Sequence, residues 1–247
     1  MDDVRGTGAV LSDIRHVAET GSTNADLMAL AQAGAGEGLW LRADRQTAGR
    51  GRQGRAWESP VGNLYASTLV RLRPVDPHAA TLALVAAVAL DEAVRVFAPN
   101  LDAALAIKWP NDLLVEGAKL TGILLERAGE AVVIGIGVNL AHHPQALDRP
   151  TTSLMTQGVE VTPALFLHTL AEIFARWLAR WRSEGLAPIR TRWIERAHPK
   201  GTALSARAAD GAVIDGLFEG LDEHGALILR LAGGGRHVMH AGDVFLI

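Results

Sequence analysis

The 247-residue chain contains no cysteine, which excludes disulfides, thiolate metal sites and cysteine nucleophiles together. No uninterrupted apolar stretch is long enough to span a bilayer. The most apolar run, Ala79 to Val96, is broken by Asp91, Glu92 and Arg95 and follows Pro77 at a helix-start position, so the pattern predicts a buried core helix. The opening residues, Met1-Asp2-Asp3-Val4-Arg5-Gly6, lack the basic and apolar regions of a secretory signal, and a cytoplasmic protein is expected. A basic excess is missing too: 24 Lys and Arg against 27 Asp and Glu leave a net charge of −3, the wrong balance for a protein made mainly to hold DNA. Repeats and low-complexity tracts are absent. No Gly-x-x-x-x-Gly-Lys-Ser/Thr phosphate loop occurs, and Gly135-Ile136-Gly137-Val138 is no dinucleotide fingerprint. Leu140 stands where the third glycine belongs, and Ala141-His142-His143-Pro144 does not open a helix. The adjacent His142 and His143 point in different directions and the other histidines are scattered, so a surface loop is expected there and not a metal centre.

What is present is an ordinary globular composition, 49% apolar and 21% charged, in a chain long enough for one substantial domain with or without a small satellite. A strand is read from Ile14 to Glu19. Gly21-Ser22-Thr23-Asn24 then offers cap residues for a helix to about Ala33. Strands are expected over Gly38–Gln46 and Asn63–Val70, and again over Ala104–Trp109, Asp112–Val115, Lys119–Glu126 and Ala131–Val138, which together predict a mostly antiparallel sheet backed by helices. Thr162 to Ser183 carries Phe166, Leu170, Ile173, Phe174, Trp177, Leu178 and Trp181 at helical spacing, a core stripe. A shorter helix follows over about Ala187–Ala197. Beyond His198 the texture changes to short strands with turns at Asp210-Gly211, Asp222-Glu223-His224-Gly225 and Gly233-Gly234-Gly235. The expected division is 1–198 for the larger domain and 199–247 for a small β-barrel too short to bury much surface alone, which must pack on its neighbour.

The most informative stretch is Gly49-Arg50-Gly51-Arg52-Gln53-Gly54-Arg55-Ala56-Trp57. Guanidinium forks match phosphate or carboxylate oxygens, and glycines let backbone N–H groups approach an anion closely. The loop between two strands reads as a mobile, anion-binding lid, or alternatively as a flexible segment holding nucleic acid.

Three further segments, Gly21-Ser22-Thr23-Asn24, Lys108-Trp109-Pro110-Asn111-Asp112 and Lys119-Leu120-Thr121-Gly122-Ile123-Leu124, complete a set that resembles the biotin protein ligases in order and spacing, from about Val17 to the C-terminus. The resemblance implies an α+β fold: a mixed, mostly antiparallel class II synthetase-like sheet backed by helices, with a small SH3-like C-terminal β-barrel. It implies activation of biotin by ATP to biotinyl-5′-adenylate and transfer of the biotinyl group to a lysine of a biotin carboxyl carrier domain, with Mg²⁺ as cofactor. Under that resemblance Ser22, Thr23, Asn24 and Gln46 hydrogen-bond the ureido ring, and Gly49, Arg50, Gly51, Arg52, Lys119 and Gly122 complete the biotin site. Arg52, Arg55, Trp57, Lys108, Asn111, Lys119 and Asn139 form the nucleotide side, Trp57 through an adenine or loop contact and Asn139 through a backbone-orienting hydrogen bond.

Arg52, Lys119 and Asp112 are the expected catalytic residues. Asp112 is the candidate for a Mg²⁺–phosphate contact or for the acceptor lysine's proton, because freeing a lysine amine at neutral pH costs about 4 kcal/mol. The segment from His142 to Ser153 is expected to be a second flexible cover for the nucleotide.

Some relatives carry a helix-turn-helix repressor domain. About a dozen residues precede the first strand here, too few for three helices, so the enzyme is expected without DNA binding, as a monomer or homodimer. For Ser22 and Thr23 a plain helix cap remains an alternative, for Trp57 a core position, for Lys119 an exposed strand-end lysine and for Gly122 a bulge. At the level of function the alternatives are a lipoyl or octanoyl ligase or transferase of related fold, a basic-loop nucleic-acid-binding module, and a ligand sensor without turnover.

Overall fold

The computed structural model describes residues 13–145, 149–208 and 211–247. Strands β1 (Ile14–Thr20), β2 (Trp40–Gln46), β3 (Leu64–Arg71), β4 (Leu105–Lys108), β5 (Asp112–Val115), β6 (Ala118–Ala128) and β7 (Ala131–Val138) form one sheet in the order β1-β2-β3-β7-β6-β5-β4. Only β1 and β2 pair in parallel, connected through helix α1 (Thr23–Gln32); the other neighbours are antiparallel. The expected mostly antiparallel sheet is the one observed.

Alternation along the strands divides the sheet into two faces. On β7, Val132, Ile134, Ile136 and Val138 enter the main core with α2 (Leu82–Phe97), α3 (Pro163–Glu184) and α4 (Ala187–Arg196). The stripe on α3 lies in this core, Trp40 and Phe174 meeting edge to face at 5.7 Å between ring centroids. Ala131 and Val133 point the other way, into a smaller cluster beneath α1 with Leu27, Ala31, Leu41 and Leu69. Gly135 and Gly137 continue that second row without side chains, so the sheet is bare beyond the end of α1. This bare patch is the floor of the functional cleft.

The run from Ala79 is not helical from its first residue in the α sense. Ala79–Thr81 forms a 3-10 turn and the α-helix starts at Leu82. His78 Nδ1 accepts from the Ala80 amide at 3.3 Å and the Thr81 hydroxyl donates back to the His78 carbonyl at 2.6 Å, which tightens this turn before the α-helix can begin.

The remaining strands, β8 (Ala203–Arg207), β9 (Val213–Leu221), β10 (Leu227–Arg230), β11 (Arg236–Met239) and β12 (Asp243–Leu246), make a second, antiparallel sheet in the order β11-β10-β9-β8-β12. Leu204, Phe218, Leu227 and Val244 are buried in the main core cluster, so the small sheet shares the hydrophobic core of the large one. Trp109 Nε1 donates to the Gly225 carbonyl across this contact at 3.2 Å. Of the expected turns, Asp210 lies outside the described residues. Asp222 closes the next turn by accepting from the amides of His224 and Ala226 at 2.9 and 2.8 Å. Among the described residues no helix is long and apolar enough to cross a membrane.

Candidate active site

A cleft partly open to solvent lies over the bare patch and reaches the N-terminal end of β12. Ser22, Thr23, Asn24, Gln46, Arg50, Gly51, Arg52, Arg55, Trp57, Lys108, Asn111, Asp112, Lys119 and Gly122 all line it, segments far apart in the chain that the fold brings together.

One end of the cleft is neutral and polar. Ser22 occupies the N-cap position of α1 but its side chain makes no capping bond, so the plain-cap alternative fails for it. Thr23 donates to Gln46 Oε1 through both its amide, at 2.9 Å, and its hydroxyl, at 3.1 Å. Gln46 Nε2 donates to Ser59 Oγ at 3.2 Å. Ser67, buried on β3, approaches both Asn24 Oδ1 at 2.6 Å and Thr23 Oγ1 at 2.8 Å. The side chain of Asn24 fills the place where Gly135 lacks one: a Cβ there would stand 2.3 Å from Asn24 Oδ1.

The other end is cationic. Lys108 and Asp112 face each other across β4 and β5, whose turn contains the cis Trp109–Pro110 peptide. Asp112 is buried and receives Lys119 Nζ at 2.5 Å, Lys108 Nζ at 3.3 Å and an Arg149 guanidinium nitrogen at 3.9 Å. Burial alone pushes the Asp112 carboxyl up, but Lys119, Lys108 and Arg149 outweigh it and hold the group below the usual carboxylate range. Lys119 moves down from its ordinary value, because burial and the nearby Arg149 and Lys108 outweigh the attraction of Asp112. One carboxylate shared by three cations leaves a surplus of positive charge facing the cleft.

Between the two ends lies Trp57. Its indole rests flat on the cross-strand pair Gly122 and Gly137: a Cβ on Gly137 would come within 2.6 Å of the ring and one on Gly122 within 2.9 Å. Lys119 Nζ stands 5.5 Å from the ring centroid, in cation–π range. Trp57 therefore lines the cleft and is no core residue. Gly122 lies in the regular part of β6, and the strand's register shift falls beside Leu113 and Leu114 of β5, so the bulge alternative is set aside.

The arginine-glycine loop, expected as a mobile, anion-binding lid, forms a narrow hairpin. Gly51 N–H donates to the Arg55 carbonyl at 2.7 Å and Trp57 N–H to the Gly49 carbonyl at 2.9 Å, with Gln53 and Gly54 at positive φ in the tip. Arg52 donates to the Gly242 carbonyl at 2.9 Å, to Asp243 Oδ1 at 3.3 Å and to Asn111 Oδ1 at 3.4 Å, and Arg55 also pairs with Asp243. Lys108 Nζ donates to the neighbouring Val244 carbonyl at 2.7 Å.

Four expectations need correction. Gly49 is not in the cleft wall; its lack of a side chain lets the hairpin close, since a Cβ would sit 2.6 Å from the Trp57 carbonyl oxygen. Asn139 makes the backbone-orienting bond expected of it, its Nδ2 donating to the Thr152 carbonyl at 3.0 Å, but from a buried position behind the cleft and not in its wall, which corrects its place on the nucleotide side. Asp112 is held ionised and so is a poor proton acceptor, and Lys119, Lys108 and Arg149 compete with a magnesium ion for its oxygens. Part of the expected His142–Ser153 cover, residues 146–148, lies outside the described residues. Next to it, Pro150 and Thr152 are hydrogen-bonded to the backbone of Lys119 as a strand extension, not a free flap.

Sequence reading missed Tyr65, Gly135, Gly137, Arg149 and Asp243, all cleft residues, and Ser67 behind them. The alternate glycines of β7 carried a legible signal, two positions without side chains on one face of a strand. Nothing local in the chain marks Arg149 or Asp243.

Residues 20–139 match the Biotin/lipoate A/B protein ligase family and residues 206–247 the Biotin protein ligase C terminal domain. The biotin–(acetyl-CoA-carboxylase) ligase of Paracoccus denitrificans is 46% identical over 93% of this chain and 98% of its own length. Biotin protein ligase of Leishmania major, solved with biotinyl-5-AMP, superposes with a TM-score of 0.66 at 26% identity over 93% of this chain and 99% of that one. The ligase of Aquifex aeolicus, solved with biotin and ATP, shares the fold with a TM-score of 0.83 at 23% identity, covering 95% and 99% of the two chains. With both family segments in place and near-complete coverage of a 46%-identical ligase, the chain belongs to the biotin protein ligase family.

Proposed function

We propose that this chain joins biotin to ATP and then to a carrier lysine, with the neutral end of the cleft holding the ureido ring and the cationic end holding the reacting anions. The observation that carries this reading is the polarity of the cleft itself. Hydrogen-bonding side chains without charge gather at Thr23, Asn24 and Gln46, and unbalanced cations gather at Lys108, Lys119, Arg149 and Arg52. A urea has donors and an acceptor but no charge; a carboxylate and a triphosphate repel each other until cations stand between them.

In the first step a biotin carboxylate oxygen attacks the α-phosphorus and pyrophosphate leaves. Lys119 and Arg52 offset the charge that accumulates, a role suited to preformed cations in a partly dry site. In the second step the neutral ε-amine of the acceptor lysine attacks the acyl carbon, the bond to phosphate breaks, AMP departs and the amine's proton passes to solvent. Asp112 takes no proton in this account; it orients Lys119 and Lys108. Trp57 walls the alkyl chain above Gly122 and Gly137. Its indole N–H is buried over Gly137 and lacks an acceptor among the described residues. Residues 1–198 would form the ligand-activating unit, while 199–247 steady its arginine loop and help seat a carboxylase carrier domain, in the cytoplasm.

The test is ATP–pyrophosphate exchange by purified protein with biotin, with lipoate and with neither. Exchange dependent on biotin supports the reading, and exchange with lipoate alone would transfer the chain to lipoate activation. Exchange with neither would leave a sensor or nucleic-acid role.

A further inference from the structure

Asn24 is the one cleft amide whose orientation is set by an ionic side chain outside the cleft wall. Its Nδ2 donates to Glu126 Oε2 at 2.8 Å and approaches the Leu124 carbonyl at 3.5 Å, while its Oδ1 accepts from Ser67 Oγ at 2.6 Å. Glu126 follows Gly122 and Leu124 on the cleft face of β6, one step past the Leu124–Gly135 pair over which Asn24 lies.

A carboxylate can only accept, so it forces the amide nitrogen of Asn24 toward itself and the amide oxygen toward Ser67. Ser67 has one proton and must then spend it on Asn24, so the 2.8 Å contact between the two hydroxyls is a hydrogen bond only when Thr23 donates to Ser67 Oγ, with Gln46 Oε1 still held by the Thr23 amide. The far end of the chain is fixed independently, because the Thr23 backbone N–H can only donate and therefore holds Gln46 Oε1 inward. Two anchors of fixed polarity thus bracket two hydroxyls and two amides that could otherwise reverse. Without the carboxylate, Asn24 can turn its nitrogen to Ser67, Ser67 can donate to Thr23 instead, and a donor replaces the Asn24 acceptor at the cleft.

We propose that Glu126 is a positioning residue for biotin selection: by locking the amide of Asn24 it fixes which cleft atoms donate and which accept, in the pattern a urea head requires. This rests on the biotin-ligase reading above. Glu126 does not touch the reacting atoms, and its effect is confined to the ring end of the ligand.

The experiment compares Glu126→Gln with the unaltered protein in biotin-dependent ATP–pyrophosphate exchange, alongside thermal unfolding. Glutamine keeps the shape and an acceptor but also offers a donor, so Asn24 is no longer forced into one orientation. The expected result is a KM for biotin raised roughly tenfold, with KM for ATP and kcat at saturating biotin changed by less than about twofold, the signature of lost ground-state binding. The double variant Asn24→Asp with Glu126→Gln restores a fixed polarity, because the carboxylate introduced on α1 accepts both from Ser67 and from the amide introduced on β6; its KM for biotin is expected below that of Asn24→Asp alone. An unchanged KM for biotin in Glu126→Gln, equal losses in the biotin and ATP parameters, or no recovery in the double variant would overturn the proposal while leaving the ligase reading intact. Failure of the unaltered protein to respond to biotin would overturn both.

Discussion

Arg52 and Asp243 lie 191 positions apart in the chain and meet side chain to side chain at 3.3 Å, across the boundary between the two sheets. Asp243 begins β12, and the same short segment accepts from Arg52 at Gly242 and from Lys108 at Val244, so the cleft's cations are steadied from the small sheet. Asp243→Asn keeps the shape and removes the charge. The expected outcome is a several-fold faster loss of bound biotinyl-adenylate, consistent with about 1 kcal/mol for a partly exposed charged pair, with Asp243→Glu closer to the parent. Retention of radiolabelled adenylate on rapid filtration measures this, and equal retention in all three proteins would show the pairing to be incidental.

Removing the other partner has a different consequence. Arg52→Gly is expected to release the adenylate into solution and to raise labelling of bystander lysines. The chain has three lysines, of which Lys108 and Lys119 are buried in the cleft while the Lys200 side chain is 72% exposed. Self-labelling by the variant is therefore expected at Lys200, where the amine attacks the acyl carbon and AMP leaves. Peptide mapping by mass spectrometry locates the added mass; unchanged specificity and unchanged adenylate release would refute the loop's proposed role.

Gly135→Ala places a methyl group 2.3 Å from Asn24 Oδ1, closer than any real contact. Asn24 must leave its seat, and affinity for biotin is expected to fall more than about tenfold, since its hydrogen bonds go with it. Gly36→Ala, with nothing within 4 Å of the new carbon, serves as the control and is expected to leave binding unchanged. Calorimetric titration with biotin distinguishes the two, and similar affinities would show that Asn24 is free to move.

His198 stands behind Lys108 at the junction of the two sheets, with its Nε2 buried and no partner among the described residues. Burial, and then the Lys108 charge, hold its imidazole below the usual 6.5. Below that value the unfolded chain binds a proton that the folded chain refuses, so this group makes stability rise with pH through the window and fall on acidification. Thermal midpoints between about pH 7 and about pH 5 are expected to drop more steeply for the parent than for His198→Gln. Parallel curves would remove His198 from the account.

The legible part of the site was the part written in short runs. Ser22, Thr23, Asn24 and Gln46 flank α1 and end β2, and Lys108 to Asp112 span one turn, so local spacing already groups them. Arg149 and Asp243 reach the same cleft, and Ser67 and Glu126 the Asn24 side chain behind its wall, from distant strands and loops that only the folded chain brings together. Gly135 and Gly137 were visible only as a fragment of a dinucleotide fingerprint that their surroundings rule out, and their part in the site emerges from Trp57 and Asn24 resting on them. The role of Asp112 changed for an electrostatic reason: its neighbours include Arg149, which sequence proximity does not suggest.

The two faces of β7 bear on how such a protein can change. Its even-numbered residues carry the hydrophobic load and its odd-numbered ones, from Gly135 onward, clear space for the Asn24 and Trp57 side chains that line the cleft. Substitution on the second row alters what fits without touching the first, so selectivity can drift while the scaffold persists. Any side chain added at Gly135 or Gly137 acts on ligand preference by displacing Asn24 or Trp57, whereas on the other side of the same strand only swaps that conserve volume and apolarity leave the scaffold intact.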